Sequence, residues 1–232
     1  MSRESRLKRF SYLARLEPVA GIMPDRQARL WPMLGDVPEE FVLYGGTALA
    51  LRLGHRDSLD FDFFSAEPFN PTELLERLYW LGRSTVNRSS PNNLEFTAGG
   101  VNLSFFGGMR IRAVAEPSVV EVNGLVVASL FDLAGTKAKA ILDRSEWKDY
   151  VDIATLLRSG LSLPNIVGYA TTIFSPVFEF PAAVFLKSLA YFEEGTAADV
   201  PDDMKRDLRA AVAQTTWGQI PFVEAYASSL LP

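Results

Sequence analysis

The 232 residues contain no cysteine and a single histidine, His55. The first absence excludes a disulfide framework, a thiolate metal site and a cysteine nucleophile. The second excludes a multi-histidine zinc site and argues against a Ser-His-Asp triad. An excess of positive charge is also missing. Lys and Arg number 23 against 28 Asp and Glu, giving a net charge of −5 and a pI near 5.1. A globally basic nucleic-acid platform is thereby disfavoured, and only a local basic cleft remains open. Long apolar runs are lacking too: the uncharged stretch 161–178 is interrupted by Pro164, Asn165, Gly168, Ser175 and Pro176, a poor membrane span. The opening ten residues are charged and carry no apolar run of the signal-peptide kind, so a cytoplasmic protein without a membrane segment is expected. What is present is enough to fold. Hydrophobic residues make up 48% and charged residues 22%, and the length suits one large domain or a core domain with a small helical partner.

Along the chain, residues 3–17 and 25–34 read as short helices separated by Pro18, Gly21 and Pro24. Residues 41–44 are a short apolar run meeting Gly45-Gly46, the pattern of a buried strand entering a tight turn, and 47–53 then reads as a helix with Thr47 as its cap. A second strand is expected over 59–64 and a helix over 71–81, opened by Pro71-Thr72-Glu73. Residues 94–97 and 101–106 flank Ala98-Gly99-Gly100, a hairpin signal, and further strand is expected over 119–122 and 125–128. From Ser129 the pattern turns helical, with helices near 129–143, 148–158, 163–174, 182–193 and 202–213. The expected class is α/β in the α+β sense: a sheet domain with leading helices over 1–128, then a helical subdomain over 129–232.

Leu59-Asp60-Phe61-Asp62-Phe63-Phe64 alternates acid and apolar. On a strand, Asp60 and Asp62 share one face about 7 Å apart, while Leu59, Phe61 and Phe63 point the other way and can enter a core. Two like charges on one face repel, and a divalent cation converts that repulsion into binding, because Mg²⁺ takes one or two carboxylates plus phosphate oxygens. A half-exposed strand with a polar face is the alternative. Upstream, Gly45-Gly46-Thr47 at a strand-to-helix turn lets backbone N–H groups approach an anion, or is simply a tight turn.

The helix near 129–143 places Leu130, Leu133, Ala134, Ala138 and Ile141 on one stripe. Lys137 falls inside that stripe, and so does Arg144 if the helix runs that far, whereas Asp132, Lys139 and Asp143 fall opposite. A lysine on an inward face needs a phosphate or carboxylate partner, or else its stem packs while its head reaches water. In the next helix Tyr150, Ile153, Ala154 and Leu157 share the core face and Lys148, Asp152 and Thr155 lie opposite, so spacing alone makes Lys148–Asp152 a surface pair.

Tyr44-Gly45-Gly46-Thr47-Ala48-Leu49 followed by Arg56-Asp57-Ser58-Leu59-Asp60-Phe61-Asp62-Phe63-Phe64 resembles the nucleotidyltransferase signature of the DNA polymerase β superfamily. More narrowly, the chain resembles the AbiEii/AbiGii-type toxin family. The later run Asp132 to Lys137, Arg144, and Lys148-Asp149-Tyr150-Val151-Asp152 is similar to that family's downstream motifs. The resemblance implies a nucleotidyltransferase-like mixed sheet with flanking helices, followed by a helical subdomain. It implies Asp60 and Asp62 as ligands of Mg²⁺ or Mn²⁺, Asp60, Asp62 and Lys137 as catalytic residues, and an NTP as substrate. Gly45, Gly46, Thr47, Arg56, Ser58, Arg144, Lys148, Asp149 and Asp152 would serve the nucleotide. The implied reaction is NMP transfer to a tRNA or protein acceptor, and the implied partner is a cognate antitoxin.

Active members of the superfamily carry a third carboxylate on a neighbouring strand, and Ser104 stands in the expected place. That departure implies an alternative, a catalytically weakened protein that binds nucleotide or a partner. If Gly99-Gly100 is a two-residue loop, Glu95 lies opposite Ser104, where it either supplies the third acid or is an exposed polar residue. A slip of one residue removes the first option.

Overall fold

The computed structural model describes residues 3–230. They gather into two units. The first holds the chain up to Arg110, Glu116–Ser129 and the tail from Ala227; the second holds Ile111–Ala115 and Leu130–Tyr226. Relative to a division at 128/129, three pieces fall on the other side: the segment 111–115, Ser129 and the tail. The short segment is bound within the second unit through its backbone, Arg112 N–H donating to the Ile173 carbonyl (2.9 Å) and Val114 N–H to Asp132 Oδ1 (2.8 Å).

The first unit is built on one mixed sheet. Its strands are β1 (Ala14–Leu16), β2 (Val42–Tyr44), β3 (Asp60–Phe64), β4 (Ser84–Ser90), β5 (Asn93–Ala98), β6 (Val101–Phe106), β7 (Ser118–Val120) and β8 (Val126–Val127). Their spatial order is β1-β7-β8-β2-β3-β6-β5-β4. The pairs β1–β7, β8–β2 and β3–β6 are parallel and the other four antiparallel. Helices α1 (Arg3–Arg9), α2 (Asp25–Leu30), α3 (Gly45–Leu53) and α4 (Pro71–Arg77) belong to the same unit. The second unit is helical, with α5 (Leu130–Arg144), α6 (Trp147–Arg158), α7 (Leu163–Phe174), α8 (Ala182–Ala190) and α9 (Asp202–Gln214). No helix among the described residues is long and apolar enough to cross a membrane.

The period-2 pattern of β3, β5 and β6 is realised as one dry and one wet face. Phe61, Phe63, Phe96, Leu103 and Phe105 are fully buried, with Phe63 stacked on Phe105 at 4.7 Å and Phe41 edge-on to Phe105 at 5.0 Å. Burying a phenylalanine is worth about 1.5–3 kcal/mol, so this layer fixes the register of three strands. The other face carries Asp60, Asp62, Thr97, Asn102, Ser104 and Glu95. Leu59 is a correction: it is 61% exposed, because the β3–β6 ladder begins at the Asp60–Asn102 pair and Leu59 lies before it. The expected helix over 3–17 ends at Arg9, and residues 14–16 instead pair with β7.

Candidate active site

Asp62 sits in register with Tyr44 across the β2–β3 pair, and Tyr44 is followed directly by Gly45-Gly46 and α3. Strand pairing therefore brings the bend and the acid together. Gly45 takes φ +73°, the left-handed region that favours glycine. A Cβ there would fall on Asp62 Oδ2, well inside contact distance, with Asp62 Cγ 3.0 Å away. A Cβ on Gly46 would lie 2.8 Å from both Arg56 Nη2 and Ser58 Oγ. The buried Thr47 hydroxyl donates to the Asp60 carbonyl, tying the first turn of α3 to the start of β3. Gly45, Gly46, Thr47, Arg56, Ser58, Asp60 and Asp62 thus meet at one place in the first unit. The N–H groups of the first turn of a helix lack partners within it and favour an anion.

Gly45→Ala measures how tightly this bend is specified. The left-handed backbone costs an L-residue about 1–2 kcal/mol, and the new methyl would also displace the Asp62 carboxylate. The expected result is a fall of that size in urea-unfolding free energy; an unchanged midpoint would contradict the packing of Gly45 on Asp62.

The sheet register continues the site sideways. Ser104 stands next to Asp62 on β6, and Glu95 stands next to Ser104 on β5. This is the register that a two-residue Gly99-Gly100 loop requires, with Ala98 opposite Val101. Glu95 is nonetheless two strands from Asp62, about 9–10 Å at the usual strand spacing. Its carboxylate is 3.8 Å from Arg88 Nη1. Among the described residues no three Asp, Glu or His side chains are grouped so as to hold a metal ion, so the option of Glu95 as a third ligand is not met. What β3 offers here is two carboxylates, Asp60 and Asp62; a donor set of that kind would suit Mg²⁺, which completes its octahedron with phosphate oxygens and water.

Lys137, Arg144, Lys148, Asp149 and Asp152 lie on α5 and α6 and are described within the second unit. Lys137 is 5% exposed and its ammonium bonds Asp149 Oδ1 (2.9 Å) and Asp152 Oδ2 (2.7 Å), both carboxylates being 0% exposed. Arg144 closes the cluster, its Nε 2.8 Å from Asp149 Oδ2 and its Nη2 3.0 Å from Asp149 Oδ1. Two spacing-based expectations are corrected here. Lys148 is exposed and Asp152 is not its surface partner, because α6 is buried on nearly every side. Asp132, expected on the outer face of α5, is buried and accepts the Val114 N–H.

Burial works against the Lys137 ammonium, but the Asp152 and Asp149 carboxylates outweigh it and hold its pKa above the ordinary lysine value. Burial likewise pushes the Asp149 carboxyl up, yet the Arg144 hydrogen bonds and the Lys137 charge leave it below the ordinary aspartate value. A depressed carboxyl stabilises the fold above its unfolded value, about 3.9, and that contribution fades as pH falls through the folded value. A raised ammonium stabilises below about 10.4 and fades as pH climbs through its folded value. The cluster's contribution is therefore flat around neutrality. Urea midpoints measured from pH 7 to pH 2.5 are expected to fall more steeply for the wild type than for Asp149→Asn; parallel acid limbs would contradict this.

Comparisons with known proteins agree with this architecture. An uncharacterised protein of Aquifex aeolicus (strain VF5) is 34% identical over 158 residues, spanning 67% of this chain and 75% of that protein. MenT4, a nucleotidyltransferase toxin from Mycobacterium tuberculosis H37Rv, superposes with a TM-score of 0.56 at 13% identity, over 94% of this chain and 92% of its own. The crystal structure of a candidate nucleotidyltransferase from H. pylori gives 0.52 at 16% identity, over 82% and 92%. These two likenesses show a nucleotidyltransferase fold. The sequence model of AbiEii, described as a nucleotidyl transferase toxin of type IV toxin–antitoxin systems, matches residues 33–122 and 111–226, and the chain belongs to that family.

Proposed function

We propose that the protein is a Mg²⁺-dependent nucleotidyltransferase that moves NMP from an NTP to a hydroxyl of an RNA, tRNA in the first place, or of a protein. It would act in the cytoplasm as a toxin held in check by a cognate antitoxin. The observation that carries the reading is the packing of Gly45 on Asp62, which sets the first turn of α3 beside the Asp62 carboxylate, with Asp60 two residues away on the same strand face. Asp60 and Asp62 would hold Mg²⁺ or Mn²⁺, whose charge would neutralise the phosphate oxygens. Gly45, Gly46 and Thr47 would bind phosphate oxygens through their backbone, and Arg56 and Ser58 would support the triphosphate and the bend. In the reaction the acceptor oxygen bonds to the α-phosphorus, the bond to pyrophosphate breaks, and the hydroxyl proton leaves to solvent. The chain contributes chiefly position, since holding both reactants in line removes much of the entropic barrier. Lys137, with Arg144, Lys148, Asp149 and Asp152, retains in this proposal the catalytic and nucleotide-side roles that the family resemblance implies.

One observation favours a second reading. Ser104, a neutral hydroxyl, is the residue paired with Asp62 on β6, which fits a protein that binds nucleotide or a partner without turnover. Incubation with each α-labelled NTP, Mg²⁺ and either total tRNA or total protein separates the two. Incorporated label is expected; retained NTP without incorporation would move the assignment to the second reading, and neither would contradict both.

A further inference from the structure

The wet face of the sheet carries a chain of side-chain hydrogen bonds that ends on Asp60. Asn87 Nδ2 donates to Thr97 Oγ1 (2.9 Å), Thr97 Oγ1 donates to Asn102 Oδ1 (2.8 Å), and Asn102 Nδ2 donates to Asp60 Oδ1 (3.1 Å). The strand register builds this row. Asp60 pairs with Asn102 across β3–β6, and Asn102 with Thr97 across β6–β5. Asn87 enters through the irregularity in β4, where Val86 faces Phe96 and Arg88 already faces Glu95. A bulge adds one residue and re-aims its side chain, and here the added residue is Asn87.

The chain has one direction. The Asn87 amide fills the acceptor side of the Thr97 hydroxyl, so the hydroxyl proton points to Asn102. The Asn102 carbonyl takes that proton, which leaves its NH₂ toward the carboxylate. Turning this amide over would set its oxygen against the Asp60 carboxylate and its NH₂ against the donating hydroxyl, an unfavourable exchange at both ends. Asp60 Oδ1 therefore meets a donor held from the far edge of the sheet, across four strands.

We propose that Asn102 is a positioning residue for Asp60, oriented by Thr97 and Asn87, which fixes how the carboxylate presents its oxygens to a divalent cation. The proposal rests on the reading of Asp60 as a cation ligand. Hydrogen-bond partners of ligating carboxylates typically change metal affinity or activity about 10–100-fold when removed. Asn87 and Asn102 are exposed and Thr97 is half-buried, all three outside the packed layer, so the fold is expected to survive their loss.

The test is Mn²⁺ binding to the full chain, read from the free-ion signal in electron paramagnetic resonance, with unfolding midpoints measured alongside. Asn102→Leu, close in volume and without the donor, is expected to weaken Mn²⁺ binding about 10-fold. Thr97→Val keeps the shape but removes the orienting hydroxyl, and a smaller weakening in the same direction is expected. Midpoints should stay near that of the wild type, which a merely structural role of Asn102 would not allow. Wild-type affinity in Asn102→Leu, with binding lost in Asp60→Ala, would overturn the positioning role alone. A wild type that binds no Mn²⁺ would overturn the cation reading and this inference with it.

Discussion

Replacing Asp62 by Asn is expected to lower nucleotide transfer by about 10²–10³-fold while leaving the unfolding midpoint essentially unchanged. The substitution keeps the shape, exchanges one acceptor oxygen for an NH₂ donor and removes one negative charge. Two consequences separate it from a folding defect. Asp62 lies on the wet face of β3, opposite the packed layer of Phe61 and Phe63, so no core contact is lost. Asp60 shares that face two residues away, so removing one charge relieves repulsion between like groups. What disappears is half of the carboxylate pair beside the Gly45-Gly46 bend. A variant retaining more than a tenth of wild-type transfer would show that the pair does not carry the chemistry.

The second large effect concerns stability. Lys137→Met is expected to destabilise the protein by about 3–5 kcal/mol, because removing one partner of a buried ion pair leaves charge in the interior without its counterion. Asp149 keeps the two Arg144 hydrogen bonds, whereas Asp152 loses the ammonium 2.7 Å away. Adding Asp152→Asn to Lys137→Met should therefore recover part of the loss, a positive coupling in a double-mutant cycle. Additivity of the two losses would contradict the pairing. Assayed per folded molecule, at a temperature where the fold stands, Lys137→Met also tests the catalytic role proposed for this lysine; full transfer activity there would remove that role.

The parts of the fold legible in the sequence are those with strong local signals. The acid–apolar alternation of residues 60–64 gave β3 its two faces, and Gly99-Gly100 set the β5–β6 register down to the Glu95–Ser104 pair. Helices α5, α6, α7 and α9 lie within a residue or two of their expected ends, because their apolar stripes are long. The missing pieces are those held by distant partners. β4 reads Ser-Thr-Val-Asn-Arg-Ser-Ser, with no apolar period, and exists only because β5 pairs with it. β1 lies in a stretch with helical spacing, and its parallel pairing with β7, over a hundred residues away, decides its state.

The same division runs through the candidate site. Asp60, Asp62 and the glycine bend could be found from spacing, since adjacent strands join them. The stripe of α5 placed Lys137 inward, but spacing put Asp152 on the outer face of α6 when both Asp149 and Asp152 are in fact the buried partners of that lysine. Helical period assigns one inward side, and it fails for a helix covered on several sides. Asn102 is illegible in the sequence for a different reason. Its alternation with Leu103 and Ser104 puts it on the wet face, yet only the parallel β3–β6 register sets it beside Asp60, and no local signal encodes a parallel register.

Calorimetric titration of the protein with each NTP, in Mg²⁺ and then in excess chelator, tests the union of bend and carboxylates most directly. Saturable binding of at least one NTP in Mg²⁺ is expected, weakened by at least about tenfold on chelation and in the Asp60→Asn/Asp62→Asn double variant. Equal binding with and without Mg²⁺, undisturbed by the double substitution, would contradict a shared cation and triphosphate site at Gly45-Gly46, Asp60 and Asp62.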